Sequence, residues 1–355
     1  VRSTFLAGVK GSSDATVVGG DPRWAYLRGG LDRLPLRLAR APAQPYRSAA
    51  LVGVRLSSLC AAHPAELLHL HWINAGFLRP ETLPSAALPL VWTLHDEWPF
   101  AGAEHYCGET EWFRRGYPPG VDRWLFERKK RAYARLDRLT LIAPSRWMAE
   151  RARQSLLLAD RRIEVIPYCV DTALYRPRDR AEARAALGLP ATGPLVLFVG
   201  DTGDPRKGFR HLLRALERLP GVLLAVAGPS TQPGNFQALG MIHDEERLAN
   251  AYCAADVLAC PSLEDNLPCT VIEALSCGTP SVAFAVGGLP DLIQEGVTGA
   301  LARPFDAADL ARALSAAIDA GAPLRTSARR QAEAAFSGEA VAQAHLALYQ
   351  SLVDA

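Results

Sequence analysis

The sequence predicts an α/β protein built from two doubly wound domains, each a mostly parallel sheet with helices on both faces. Three observations carry that expectation. In the second half, near-continuous apolar runs alternate with amphipathic segments, the pattern of buried parallel strands and their covering helices. The first half repeats the alternation more loosely. Polar residues then collect where the apolar runs end, and open α/β sheets bind their ligands at the carboxyl ends of the strands.

The second half reads most clearly. "PLVLFVG" (194–200) predicts a strand and 209–219 a helix; "GVLLAVAG" (221–228) a strand and 244–255 a helix. "DVLACPS" (256–262) is a strand, 270–276 a helix, "SVAFAVGG" (281–288) a strand and "LPDLIQEG" (289–296) a short helix. "GALARP" (299–304) then gives a strand and "AADLARALSAAI" (307–318) a helix. In the first half, strands are expected at 3–9, 67–73, 88–94, 139–144 and 164–167. Helices fall near Ala65 and at 79–85, 121–138 and 145–155. The stretch 99–120, rich in Gly, Pro and aromatics, reads as a long loop. The polar, helix-forming 176–193 looks like the join, and "GEAVAQAHLALYQSLV" (338–353) is an isolated amphipathic helix with no strand after it.

The totals exclude several classes. The 355 residues suffice for two domains, and 49% hydrophobic residues allow large cores. A net charge of +2 is too balanced for a nucleic-acid binder. No apolar run approaches the ~20 residues of a membrane span. Seven scattered cysteines form no CxxC pair, so neither a disulfide framework nor a metal cage is expected, and a reducing cytoplasm is the expected setting. His69 and His71 share one face of a strand with no third ligand nearby in sequence, so no metal is expected there either. The chain opens with Val1 rather than Met, and residues upstream are expected to be missing.

The polar clusters at strand ends are His71, Trp72 and Asn74; His95 and Asp96; Ser145; the loop after Gly200; Pro229 and Ser230; and Asp265. The last lies in the most informative stretch, "PSLEDNLPCTVIEALSCGTPSVAF" (261–284). Pro268 suits the first turn of a helix, where its missing N–H costs nothing. Leu267, Cys269 and Thr270 can then present backbone amides to a phosphate at the positive end of that helix. Asp265 precedes the helix and Glu273 follows one turn in, and carboxylates bind sugar hydroxyls. The geometry suits a sugar–diphosphate–nucleoside; an N-cap with a first-turn Glu is the competing structural reading.

This stretch resembles the donor-site signature of the retaining GT-B glycosyltransferases of family 4: Pro-Ser, two residues, an acidic residue, seven residues, Glu-Ala, then Gly-x-Pro before a strand. "DNLPCT" is similar to the subgroup that builds bacterial exopolysaccharides and colanic-acid-type glycans. The resemblance extends over nearly the whole chain. "HLHWINAGFL" and "VWTLHDEWPFAGAEHYC" resemble acceptor-domain motifs, "PSRWMAERARQS" and "IEVIPYCVDTALYRP" the domain-crossing segment, "DPRKGFRHLLRAL" the phosphate loop, and "ALGMIHDEERLANAYCAADVLACPS" the base-binding loop.

The resemblance implies an acceptor domain at 1–170, a nucleotide-sugar domain at 171–336 and a final helix, 337–355, that crosses back to the first domain, with the two sheets facing a cleft. It implies that Glu273 holds ribose hydroxyls, that Asp265 contacts the transferred sugar, that Lys207 and Arg206 neutralise the diphosphate, and that Met241 and Ile242 bracket the base. Asn266, Leu267, Cys269 and Thr270 complete the donor site. His95, Lys207 and Asp265 are the catalytic candidates; His71, Trp72, Asn74, Asp96, Trp98 and His105 line the acceptor side. A UDP- or GDP-sugar is the implied co-substrate, with no permanently bound cofactor, and a glycan or lipid-linked acceptor is the implied partner. The reaction would be retaining, the leaving phosphate assisting front-face attack, so no protein nucleophile is expected.

Some positions depart from the pattern. Asp265 stands for the usual Glu, Asp201 for an Arg after the "FVG" strand, Pro268 for a Gly, and "PYCVD" for Pro-Asn-Gly-Val-Asp. The family's first strand and Gly-rich loop have no counterpart before Ser3, which predicts a first sheet lacking its central strand. Competing readings are a nucleotide-sugar 2-epimerase of the same fold, separable by turnover without acceptor, and a non-catalytic fragment. A dinucleotide oxidoreductase lacks a GxGxxG between strand and helix. Finally, the basic helix "DRWLFERKKRAYARLDR" (122–138), carrying Trp124, Leu125 and Leu136, is a candidate for resting on anionic lipid at the inner face of the membrane, against the alternative of a solvated face.

Overall fold

The computed structural model describes residues 2–39, 46–85, 88–108 and 110–354. They form two compact units. Unit 1 comprises the chain up to 144, residues 148–165 and the tail from 348; unit 2 comprises 145–147 and 166–347.

In chain order the strands are β1 (Phe5–Ala7), β2 (Val17–Gly19), β3 (Leu68–Leu70), β4 (Leu90–Thr93), β5 (Leu139–Ala143), β6 (Arg162–Val165), β7 (Leu195–Val199), β8 (Leu223–Ala227), β9 (Gln237–Gly240), β10 (Val257–Cys260), β11 (Ser281–Phe284) and β12 (Gly299–Ala302). The helices of unit 1 are α1 (Pro22–Leu38), α2 (Leu56–Ala62), α3 (Trp112–Arg115), α4 (Val121–Tyr133) and α5 (Arg146–Arg153), whose first two residues belong to unit 2. Those that follow are α6 (Arg180–Ala186), α7 (Phe209–Leu216), α8 (Glu245–Ala254), α9 (Cys269–Ser276), α10 (Leu289–Leu292), α11 (Ala307–Ala320), α12 (Ala322–Ala335) and α13 (Gly338–Val353).

Unit 2 holds a six-stranded, all-parallel sheet in the order β12-β11-β10-β7-β8-β9. Its inner strands are almost wholly apolar because both faces are covered, whereas the edge strand β9 is mostly exposed. Leu195, Leu197, Leu258 and Ala283 point into one buried cluster with α8 and α9, while Val196, Phe198, Val257 and Val282 point into another with α7 and α11. From β7 the chain winds outward through β8 and β9, then returns to β7's other side and winds through β10, β11 and β12. The winding reverses between β7 and β10, and in such sheets the crevice at the carboxyl ends of those two strands is the ligand position.

In unit 1, β3-β4-β5-β6 form a four-stranded parallel sheet, and β1 and β2 form a separate parallel pair. Every residue of β4 and β5 is buried. The helix α13 runs from unit 2 into unit 1, where the Tyr349 hydroxyl meets His69 Nδ1 at 2.6 Å and Arg138 donates to the Leu352 carbonyl at 3.2 Å.

Several local expectations are corrected. The helix expected near Ala65 is α2, which stops at Ala62, because Pro64 disfavours a helical His63. The helix expected over 121–138 ends at Tyr133, and Leu125 and Leu136 both face the core. The loop at 99–120 contains the one-turn α3. The strand over 281–288 stops at Phe284. Two helices, α1 and α12, were not expected from periodicity, yet each carries a start signal: Asp21 caps α1, accepting from the Arg23 amide at 2.8 Å, and both helices have a proline in the first turn.

Candidate active site

The loops after β7 and β10 meet where the winding of unit 2 reverses. Asp204 caps a single 3-10 turn, Pro205–Lys207, by accepting from the Arg206 amide at 3.0 Å. Gly208 then turns the chain into α7 with φ 65°, and a Cβ there would lie 1.9 Å from the Pro261 carbonyl oxygen. The two loops therefore touch backbone to backbone, and the Leu263 amide donates to the Arg206 carbonyl at 2.7 Å.

This contact places Lys207 Nζ 2.8 Å from Asp265 Oδ2, an oxygen that Ser262 Oγ also reaches at 3.3 Å. Burial works against the Lys207 ammonium, but the neighbouring Asp265 charge and the hydrogen bond to it outweigh that and leave its pKa above the usual lysine value. The Arg206 guanidinium binds the Asp204 carboxylate at 2.7 Å. Asp201 accepts from the Gly203 amide at 2.7 Å, shaping the same loop.

Pro268 occupies the N-cap of α9 with extended backbone, one position before the first turn where the sequence put it. No side chain caps this end, and among the described residues the amides of Leu267, Cys269 and Thr270 meet no carbonyl or side chain. They make the helix start a donor-rich, electropositive surface. Glu273, one turn in, accepts from the Tyr252 hydroxyl through Oε2 at 2.6 Å. Burial pushes the Glu273 carboxyl above its ordinary value, the Tyr252 bond opposes this, and Glu245 adds to the rise. Asn266 is buried and accepts from Ser145 Oγ at 2.8 Å. At the end of β9, Met241 is exposed and Ile242 packs at the margin of the core.

Four contributors escaped the sequence reading. Tyr252 and Ser262 are the partners just described. Gly287 has φ 57°, and a Cβ there would sit 2.0 Å from the Asp265 carbonyl oxygen; one on Gly288 would sit 1.8 Å from that of Asn266. The Gly288 amide donates to the Asp265 carbonyl at 3.0 Å. The signal was the Gly-Gly pair ending an apolar run, which marks a close backbone approach rather than more strand.

In unit 1 the acceptor-side candidates form one network at the ends of β3 and β4. His69 Nε2 meets Thr93 Oγ1 at 2.7 Å, and His71 Nδ1 lies 2.9 Å from His95 Nε2 with the rings stacked. Burial lowers the His95 pKa below the ordinary histidine value against the pull of Asp96, so its ring is neutral at pH 7. Asp96 is the hub: it accepts from the Trp72 indole N–H at 2.7 Å and the Trp98 amide at 2.9 Å, and meets His105 Nδ1 at 2.7 Å. Trp72 is 56% exposed and presents a ring held in place by that bond. Asn74 is buried, and its Oδ1 meets no hydrogen-bond partner among the described residues. Trp98 and His105 are fully buried. The sequence put both at the acceptor, but they back the site rather than line it. Behind them Lys129, also missed, lies 3.7 Å from the Trp98 ring centroid and donates to the Ala101 carbonyl at 2.9 Å; burial brings its pKa down to about 7.

Comparisons with known proteins agree with this layout. Residues 193–320 match the family model described as "Glycosyl transferases group 1", and residues 14–174 match that of "Glycosyltransferase Family 4". The first match lies within unit 2 and the second falls mostly in unit 1, so each unit is similar to a glycosyltransferase domain. The fold is GT-B: a sucrose-phosphate synthase from Thermosynechococcus elongatus superposes with a TM-score of 0.69 at 23% identity, over 99% of each chain. The Anabaena protein HepE, solved in complex with UDP, superposes at 0.66 with 18% identity, over 99% of this chain and 100% of its own. In sequence the chain is similar to D-inositol 3-phosphate glycosyltransferases: 37% identical to that of Mycobacterium avium over 54% of this chain and 50% of the relative, and 38% identical to that of Mycolicibacterium smegmatis over 55% and 49%. The chain spans about half the length of these glycosyltransferases.

Proposed function

We propose that the protein is a retaining glycosyltransferase that moves a sugar from a nucleotide-sugar to a hydroxyl of a neutral glycan or glycolipid acceptor. The observation that carries the reading is the Lys207–Asp265 pair at the winding reversal of unit 2, next to the open amides of α9. In this reading Lys207 and the amides of Leu267, Cys269 and Thr270 take up the charge that develops as the nucleoside diphosphate departs. Glu273, oriented by Tyr252, accepts from ribose hydroxyls, and Asp265 accepts from the transferred sugar. Arg206 holds the loop through Asp204, and the backbone at Met241 and Ile242 flanks the base. His95, neutral at pH 7, hydrogen-bonds sugar or acceptor without adding charge. The leaving phosphate takes the acceptor's proton, so no side chain need act as nucleophile.

The nature of the acceptor side favours a neutral sugar. Trp72 offers an exposed aromatic face, and the same strand ends carry the neutral His95 ring and the carboxylate of Asp96, which disfavours a phosphate. The names of the sequence relatives support the second reading, an inositol phosphate acceptor. Calorimetry with UDP and GDP on the wild type and Glu273→Ala tests the donor site; UDP comes first, because HepE binds it. One nucleotide is expected to bind, and the variant to lose ~10–100-fold in affinity, the worth of a charged hydrogen bond. Absence of binding by folded wild type overturns the reading. Turnover of the bound nucleotide's sugar with glycan or inositol phosphate then separates the two acceptors, and turnover with neither present would indicate an epimerase.

A further inference from the structure

The helix α1 of unit 1 carries a face that the donor and acceptor chemistry does not use. Trp24, Leu27, Leu31, Leu34 and Leu38 follow one another at alternating spacings of three and four residues, so they line one stripe of the helix. All five are exposed, by 47% to 75%. The stripe is turned outward because the opposite side of the helix is fixed to the unit. Asp32 is buried and accepts from the amides of Ala50 at 3.0 Å and Leu51 at 2.6 Å, and Leu36 packs in a buried cluster with Leu125 of α4.

The exposed charges around the stripe are mainly positive, the exposed acidic residues of these segments being Asp21, just before α1, and Asp137, past α4. Arg23, Arg33 and Arg37 are exposed on α1, whose single acidic residue is the buried Asp32. The adjoining α4 and the turn after it expose Arg123, Lys130, Arg131 and Arg135. Leu125 on α4 and Leu136 just after it are buried, so this segment supplies charge and Trp124 but no apolar face. An exposed apolar stripe edged by arginines on a helix too short to span a bilayer is the pattern of an interfacial helix. Among the described residues no helix is long and apolar enough to cross a membrane. Two copies pairing through the stripe would bring like arginines together, which the charge disfavours.

We propose that α1 seats unit 1 on an anionic lipid bilayer: the Trp24–Leu38 stripe enters the acyl boundary, and Arg23, Arg33, Arg37 and the basic face of α4 meet the headgroup phosphates. This goes beyond the transfer reaction and does not depend on it. The test is co-sedimentation of the full chain with phosphatidylglycerol/phosphatidylcholine vesicles and with pure phosphatidylcholine vesicles, at low salt and at about 0.5 M salt. Binding to the anionic vesicles is expected at low salt, at least ~10-fold weaker on neutral ones. Leu27→Glu/Leu31→Glu should abolish it. Arg33→Glu/Arg37→Glu, which leaves the stripe intact, should lose about fivefold or more per arginine. Circular dichroism melts establish that each variant is folded. The proposal falls if the wild type stays in the supernatant with anionic vesicles, or if folded Leu27→Glu/Leu31→Glu binds as tightly as the wild type. It also falls if sedimentation velocity shows a dimer that the leucine variant dissolves, because the stripe then joins two copies.

Discussion

Lys207 and Asp265 come from loops on either side of the strand-order reversal in unit 2, and their charged atoms lie 2.8 Å apart. The pair divides two duties that single substitutions can separate. Lys207→Met removes the cation proposed to face the diphosphate, and UDP affinity should fall ~10–100-fold. Asp265→Asn keeps that cation and should hold nucleotide affinity within about threefold while turnover falls at least ~100-fold, the loss of a group acting at the transferred sugar. Calorimetry and initial rates on both variants check the split; equal losses in both parameters for both variants would refute it.

Glu273→Gln should uncouple stability from binding. Burial holds the folded carboxyl above its ordinary value, while the unfolded chain ionises near 4.5. Between those values the unfolded state loses its proton first, so stability falls as pH rises through that window. A glutamine removes the buried charge and can still accept from Tyr252. Relative to the wild type, the variant should gain melting temperature at pH 7 that it does not gain at pH 4, while its nucleotide affinity falls. Parallel thermal melts at the two pH values show the difference.

His95 predicts the opposite slope. Its folded pKa lies below the unfolded value of 6.5, so the unfolded state binds the proton first as pH falls. The stability of unit 1 should decline on acidification from 6.5 towards the folded pKa. His95→Gln should flatten that decline. A melt series run downward from about pH 7.5 follows the decline.

Gly287→Ala should disturb the donor loop without touching a charged group. The residue has φ 57°, and the new Cβ would press to 2.0 Å from the Asp265 carbonyl oxygen. A cost of ~1–3 kcal/mol is expected, together with loss of transfer. Scanning fluorimetry reports the first and a turnover assay the second; an unchanged melting temperature would mean that the loop gives way freely.

The parallel sheet of unit 2 was legible because its strands are buried on both faces and read as unbroken apolar runs. Asp265 and Glu273 were legible for a related reason: carboxylates bracketing a proline at a helix start stand out locally. What stayed hidden depends on contacts distant in sequence. Tyr252 looked like one more core aromatic on α8, and only the fold brings its hydroxyl to Glu273, 21 residues on. Trp98 and His105 looked like site residues because they share a polar, aromatic segment with Trp72's partner Asp96, and burial is not written in such a segment. The helix α1 was missed although its apolar residues recur at helical spacing, because two glycines and an internal Pro35 weaken its helical propensity.

If the Asp265 loop holds the donor as proposed, the close approach of Gly287 and Gly288 to the Asp265–Asn266 carbonyls bears on how donor preference can diversify. The backbone there is held by a neighbouring loop, so insertions or larger residues at the glycines are barred, while Glu264 is half-exposed beside a fixed frame. Variation in the accepted sugar should therefore accumulate as exchanges of side chains at a constant loop length. A mutant library aimed at a new donor has its productive positions at Leu263 and Glu264, with the glycine pair left as found.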